Sequence, residues 1–425
     1  MNRFLPALFV LLFPFCAWSQ SLFNADSRAD LWRQMRLKKM EEIQPEKSSK
    51  AEQILLKLEA RGVQLNYKGF FPRVVTLSSG SGFAPSVRYW RPRLFGTNLD
   101  LQASAGISIR AYQQYTLQIG RILQFVPERF VGGSGSGGLS IFRGVRQSDK
   151  EFFLFADFSY RNFPQEDFFG LGPDSEREDR SDYRFESTSF DGVLGWQLNS
   201  KTVVAFRAGY LKADIGEGTD SNFPDVQETF DESEAPGLTD QPDFVRTNTV
   251  AVFDYRDVPG NPHHGGSIGF SHSYFDSRDA NLDFHRFVID VRQFISLGSP
   301  QRVLALRFLT SLDEAKDGHE VPFYLQEALG GSSTLRGFRK FRFRDVKSLL
   351  LSAEYRWEAA PGWELALFYD TGKVFSDSSD FNLEDLEDGW GIGTRFKLPT
   401  STFMRMDVAR SREGTRFYWT FSSSF

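Results

Sequence analysis

Cysteine is almost absent from this chain: Cys16 is its only one, and it falls inside an apolar leader. A chain cleaved after that leader has no disulfide, thiolate nucleophile or cysteine-ligated metal available to it. Its stability must come from packing and backbone pairing. Long apolar runs are equally scarce. Beyond Phe15 nothing approaches the roughly 20 apolar residues that a membrane helix needs. Positive charge is not in excess either, since 50 Lys+Arg against 55 Asp+Glu leave a net −5, which argues against a nucleic-acid binder. His263, His264, His272, His285 and His319 are scattered, and no Ser/His/Asp set or Asp/His pair has catalytic spacing. No enzyme, cofactor or metal site is expected.

The beginning of the chain reads as a signal peptide over residues 1–19. Arg3 gives a positive start, Phe4 to Phe15 is almost wholly apolar, and Ala17-Trp18-Ser19 offers a cleavage site before Gln20. Arg28 to Met40 and Ala51 to Ala60 are charged, rich in Leu and Met, and free of Gly and Pro. They predict one or two short amphipathic helices, broken near Pro45, in a periplasmic segment over 20–69. Residues 28–62 would serve as a linker, a plug or a docking helix for a periplasmic partner.

From about residue 70 the pattern changes to period two. Leu99, Leu101, Ala103, Ala105, Ile107 and Ile109 alternate with Asp100, Gln102, Ser104, Gly106, Ser108 and Arg110. Leu349, Leu351, Ala353, Tyr355 and Trp357 likewise face away from Ser348, Ser352, Glu354, Arg356 and Glu358. Each such strand has one apolar and one polar face. Many run to ten residues or more, the length of about 9–11 that crosses a bilayer, where soluble strands average about 5–6. The aromatic fraction of 15%, with 44 Phe, fits strands that show lipid one face only.

Sixteen such segments begin near residues 71, 83, 98, 111, 151, 183, 201, 245, 266, 284, 301, 346, 363, 389, 402 and 416. Their connections alternate between short turns, such as 197–201, 298–301, 359–362 and 398–401, and long loops at 165–182, 214–244, 312–345 and 374–388. The fold class is therefore all-β: a 16-stranded antiparallel transmembrane β-barrel over 70–425, in the outer membrane, with short turns on the periplasmic side. The connection over 124–150 is too long for that rule. The 214–244 loop, with nine acidic residues from Glu217 to Asp243 and no Lys or Arg, reads as a solvated, mobile surface loop.

Phe417, Trp419, Phe421 and Phe425 share the apolar face of the last segment. A chain ending on an aromatic there resembles the recognition signal by which assembly machinery handles outer-membrane proteins. Within the sixth long loop lies Leu335-Arg336-Gly337-Phe338. Asp254-Tyr255-Arg256-Asp257, followed by Pro259, Pro262 and Gly266, sits at a turn, and Phe368-Tyr369-Asp370-Thr371-Gly372 sits in the thirteenth strand. These three stretches, in this order, are similar to the Omp85 superfamily of BamA/TamA-like barrels.

That resemblance implies that Leu335, Arg336, Gly337 and Phe338 tip a loop folded into the lumen. Arg336 would pair there with Asp370, beside Phe368. It implies a periplasmic turn built on Asp254, Arg256, Asp257, Pro262 and Gly266. The parity of the thirteenth strand agrees independently, because Glu364, Ala366, Phe368 and Asp370 face inward when Trp363, Leu365, Leu367 and Tyr369 face lipid. No complete POTRA domain fits residues 20–69, so the chain resembles the branch without them.

The resemblance implies a factor that assists insertion, assembly or translocation of outer-membrane components through a lateral seam, with outer-membrane proteins as clients. Strand one contains Pro72 and ends in Ser78-Ser79-Gly80, and the chain ends in Ser422-Ser423-Ser424, so both sides of that seam look weak. The competing reading is a solute pore, since sixteen strands can enclose a channel.

Overall fold

The computed structural model describes residues 30, 34, 69–78, 80–122, 151–278, 280–398 and 401–421. The expected signal peptide, the helices within 28–62, the connection over 124–150 and Phe425 lie outside the described residues.

Sixteen strands form one antiparallel sheet in which sequence neighbours pair in order. They are β1 (Gly69–Val75), β2 (Ala84–Arg91), β3 (Asp100–Ile107), β4 (Gln113–Arg121), β5 (Glu151–Phe168), β6 (Ser181–Asn199), β7 (Thr202–Glu217) and β8 (Phe244–Asp254). There follow β9 (Gly265–Asp276), β10 (Phe284–Ser296), β11 (Arg302–Ala315), β14 (Lys347–Ala360), β15 (Trp363–Phe375), β16 (Glu387–Leu398), β17 (Ser401–Ser411) and β18 (Gly414–Thr420). Two-residue strands β12 (Ala328–Leu329) and β13 (Phe343–Arg344) pair with each other inside the loop between β11 and β14. Every barrel strand starts within two residues of its expected position.

The burial pattern is the inverse of a soluble protein's. On β6 Phe190 is 60% exposed while its neighbour Asp191 is fully buried. Phe206, Ile268, Ile289, Leu306, Trp357 and Leu367 are likewise exposed, and Asp157, Arg207, Arg246, Asp290, Arg307 and Glu354 are buried. Soluble proteins almost never bury such charges unpaired. Here they pair with one another: Arg246 and Asp191 are joined at 2.7 Å, and Arg292 and Arg307 both donate to Asp290. An apolar outer surface around a polar interior is what lipid solvation of a closed sheet selects.

The sheet curls until both ends of its strand order serve one interior element. The loop between β11 and β14, here loop six, donates from Lys340 to Ser78 just after β1 and to Glu166 on β5 (2.6 Å), and from Arg342 to Glu413 beside β18. The rings of Phe83, just before β2, and Phe421, just after β18, lie 6.3 Å apart. Among the described residues β1 and β18 are not hydrogen-bonded neighbours. Strand length is uneven around the wall. β1 to β4 and β18 have 7, 8, 8, 9 and 7 residues, whereas the other eleven have 11 to 19.

The acidic 214–244 connection is largely solvent-facing, as expected of a surface loop, and it also carries local structure that composition does not reveal. β7 extends through Glu217, and the remainder is folded onto its own backbone. Asp225 accepts from the N–H groups of Gly218 and Gln227, Asp231 from those of Ser233 and Glu234, and Glu232 from those of Gly237 and Thr239. Phe230 packs on Phe168, and Pro236 accepts from the backbone of Phe323 in loop six. The carboxylates are thus turn-builders rather than free charge.

Candidate functional site: the loop-six clamp

Arg336 is buried in the interior and faces three strands. Its Nε donates to Asp370 Oδ2 at 2.6 Å and its Nη2 to Oδ1 at 2.9 Å, while its own backbone N–H reaches Oδ2 at 3.2 Å. Nη1 donates to Glu354 Oε2 on β14 at 2.8 Å and lies 3.6 Å from Asp407 on β17. The guanidinium carbon sits 3.5 Å over the ring of Phe368. A planar cation is thereby fixed by a bidentate carboxylate at its edge and an aromatic at its face, an arrangement lysine cannot reproduce.

The period-two pattern explains why these groups converge. Phe368 and Asp370 share the inward face of β15, and the β14–β15 register sets Glu354 opposite Phe368 and Ser352 opposite Asp370. Small Ser352 leaves room above Asp370 for the incoming loop. Around the clamp, Arg395 donates to Glu354 and Asp407 (both 2.9 Å), Arg356 donates to Glu354 (2.8 Å), and Arg405 lies 3.2 Å from Asp407. Four guanidiniums thus surround three carboxylates. Burial alone would lower the affinity of Arg336 for its proton, but Asp370 and then Glu354 outweigh it and raise the guanidinium above its ordinary range. It is charged at any physiological pH.

The rest of the motif is held by backbone. The Gly337 N–H donates to the Tyr418 hydroxyl (3.0 Å), which donates to the Phe338 carbonyl (2.7 Å). Ser411 donates to the Gly337 carbonyl at 2.8 Å. Gly337 has φ 103°, and a Cβ there would lie 2.9 Å from Ser411 Cβ, so the position requires glycine on both counts. Leu335 and Phe338 pack in an apolar cluster with Leu329, Phe343, Leu350 and Val374.

Three inward glycines of β16 form the bed beneath. A Cβ on Gly389 would fall 1.8 Å from the Arg336 carbonyl, one on Gly391 2.6 Å from Phe368, and one on Gly393 2.0 Å from Asp407. Sequence reasoning passed over these glycines and over Glu354 and Asp407 as partners of Arg336. The alternation Gly389-Trp390-Gly391-Ile392-Gly393 was the available signal, because glycine inside a strand marks close approach of something else.

The second motif builds a braced turn between β8 and β9. Arg256 Nε and Nη2 donate to the two oxygens of Asp254 (2.8 and 2.7 Å), and Nη1 donates to the Pro259 carbonyl (3.1 Å). Asp257 accepts from the backbone of His263 and His264 (3.0 and 3.3 Å). Pro262 and Gly266 are buried beside it, and a Cβ on Gly266 would meet the Arg292 carbonyl at 2.5 Å. This turn is remote from Arg336 in the strand register, and among the described residues no hydrogen bond or ion pair joins the two. On β18 Phe417 and Trp419 face outward, and Phe421 follows on the same side.

A model of the Omp85 superfamily domain matches residues 89–425. No curated protein matches the chain by sequence. Among solved structures, BamA from Haemophilus ducreyi lacking POTRA domains 1–3 is similar over 83% of this chain and 70% of that one, with TM-score 0.58 and 15% identity. CdiB from Escherichia coli is similar over 82% and 61%, with TM-score 0.48 and 11% identity. CdiB from Acinetobacter baumannii is similar over 83% and 59%, with TM-score 0.43 and 10% identity. The chain therefore spans about three fifths of either CdiB. At these identities the likeness is one of fold.

Proposed function

Because the chain belongs to the Omp85 superfamily of outer-membrane barrels, we propose that it assists the insertion, assembly or translocation of outer-membrane components through a lateral seam between β1 and β18, with loop six clamped in the lumen. The observation that carries this reading is the uneven wall. Among the described residues β1 to β4 and β18 have 7 to 9 residues, against the roughly 9–11 that span a bilayer. A wall too short for the hydrocarbon thickness makes lipid thin beside it, at a cost of fractions of a kcal/mol per Å. A thinned bilayer beside an unpaired strand edge lowers the barrier for a new strand to enter and pair. Client outer-membrane proteins would meet the barrel there. A periplasmic partner would meet it through residues 28–62.

The test is to lock the seam. In a Cys16-free background, Phe83→Cys and Phe421→Cys are joined by a short thiol cross-linker in vesicles, and the folding rate of an added unfolded outer-membrane protein is followed by its heat-modifiable mobility. The unlocked barrel is expected to speed folding, and the lock to abolish the effect reversibly. Unchanged acceleration after locking would sink the seam. No acceleration in either state, with steady large conductance, would favour the pore.

A further inference from the structure

A cavity of about 380 Å³ opens at the loop-bearing end of the seam, between the β1–β2 turn, loop six and β18. Five cations line it, Arg110, Arg180, Arg339, Lys340 and Arg416, against two carboxylates, Asp167 and Asp220. Both carboxylates are committed to Arg180, at 2.8 and 3.6 Å. Lys340 is committed to Glu166 just behind the lining and to Ser78. Arg110, Arg339 and Arg416 make no side-chain hydrogen bond or ion pair among the described residues. The Nε atoms of Arg180 and Arg416 are buried donors without an acceptor. Five cations against two carboxylates leave the lining of this small cavity net positive.

Such a grouping is costly as it stands. Arg339 lies in loop six, one residue beyond Phe338, and burial followed by the facing Arg180 and Arg416 lowers its affinity for the proton. Orphaned buried donors and mutual repulsion are both relieved by one ligand type, an oxyanion with several acceptor oxygens. Three forked guanidiniums suit a phosphate better than a carboxylate, because a phosphate offers more oxygens and more charge. Phe417, also lining the cavity, is 62% exposed on the outward apolar face of β18. The cavity therefore lies against the edge strand β18, whose opposite face is apolar.

We propose that this cavity binds a phosphate group at the seam, presented by a phosphorylated lipid headgroup or by a soluble phosphate. The position beside the edge strand β18, whose outer face is apolar, favours the lipid. Occupancy would place a phosphate against Arg339, and so against the segment that follows the clamp. The inference stands whether or not the seam opens.

The detergent-solubilised full chain is examined by native mass spectrometry with diphosphorylated lipid A or with diacylglycerol, a lipid without phosphate, and by calorimetry with inorganic pyrophosphate. One lipid A is expected to be retained, with affinity about tenfold weaker in Arg339→Gln, the effect of losing one charge-assisted hydrogen bond. Arg339→Lys should keep more of it. Arg110→Gln, on an exposed turn, is a second variant that leaves the barrel intact. Pyrophosphate binding with the same arginine dependence, without lipid A, would support the phosphate site and assign it to a soluble ligand. Retention of diacylglycerol, which has no phosphate, as readily as lipid A would overturn the proposal. So would binding unchanged in Arg339→Gln/Arg416→Gln with normal heat-modifiable mobility, or no binding of either phosphate.

Discussion

The guanidinium of Arg336 lies 3.5 Å over the ring of Phe368, two residues before the carboxylate that grips its edge. One strand face therefore supplies both the seat and the latch for loop six. Arg336 and Asp370 are 2% exposed or less, so this is a buried pair, for which removal of one partner costs roughly 3–5 kcal/mol.

Arg336→Ala should accordingly release loop six, read as faster proteolysis within residues 318–345. Asp370→Ala should release it less, because Arg336 keeps Glu354 as a partner. The double variant should be no worse than Arg336→Ala, since the second change removes the carboxylate that the first leaves orphaned. Additive losses would show that the two residues act separately.

Gly389→Ala tests the same docking from the opposite side, with no change of charge. Its Cβ would intrude on the Arg336 carbonyl at 1.8 Å, so the loop must lift while β16 can stay paired. Proteolysis of 318–345 should rise toward the Arg336→Ala level, with heat-modifiable mobility retained. A protected loop in this variant would mean that the backbone yields instead.

How much of this was legible beforehand depended on what period two can encode. Alternation fixes which face a residue takes, so strand starts and the inward set Glu364, Ala366, Phe368 and Asp370 could be read directly. It does not fix height. Glu354 was visible as an inward charge, yet only the β14–β15 and β16–β17 registers bring it, together with Asp407 and Arg395, to the level of Arg336. The acidic loop was legible only as a solvated surface segment. Composition gives its charge but not the backbone N–H groups that its carboxylates cap.

The lipid-facing reading makes Leu367 and Phe381 a matched pair for comparison. Both are exposed apolar residues, but Leu367 is central on β15 whereas Phe381 lies in the loop after it. Leu367→Arg should lower barrel stability in lipid by about 2–4 kcal/mol, and Phe381→Arg by about 0–1. Urea unfolding in vesicles measures the difference, and equal effects would contradict a bilayer at β15.

In the β8–β9 turn, Arg256→Ala leaves Asp254 buried without its bidentate partner, at a cost of about 3 kcal/mol or more. Amide exchange should accelerate over 255–266 and leave loop six protected, because among the described residues no hydrogen bond or ion pair joins the two motifs. Loosening of both regions together would reveal a coupling that the contacts do not supply.

The groups that receive the Arg336–Phe338 tip all follow it along the chain: Glu354, Asp370, Ser411 and Tyr418, with Gly389 beneath. During export the amino-terminal strands arrive first, and nothing in them can hold the tip. Docking can therefore begin only once β15 has brought Asp370, and the last hairpin completes it with Ser411 and Tyr418. A chain truncated before β17 would keep the carboxylate latch but lose two of the backbone anchors around it, and its loop would be held by charge alone.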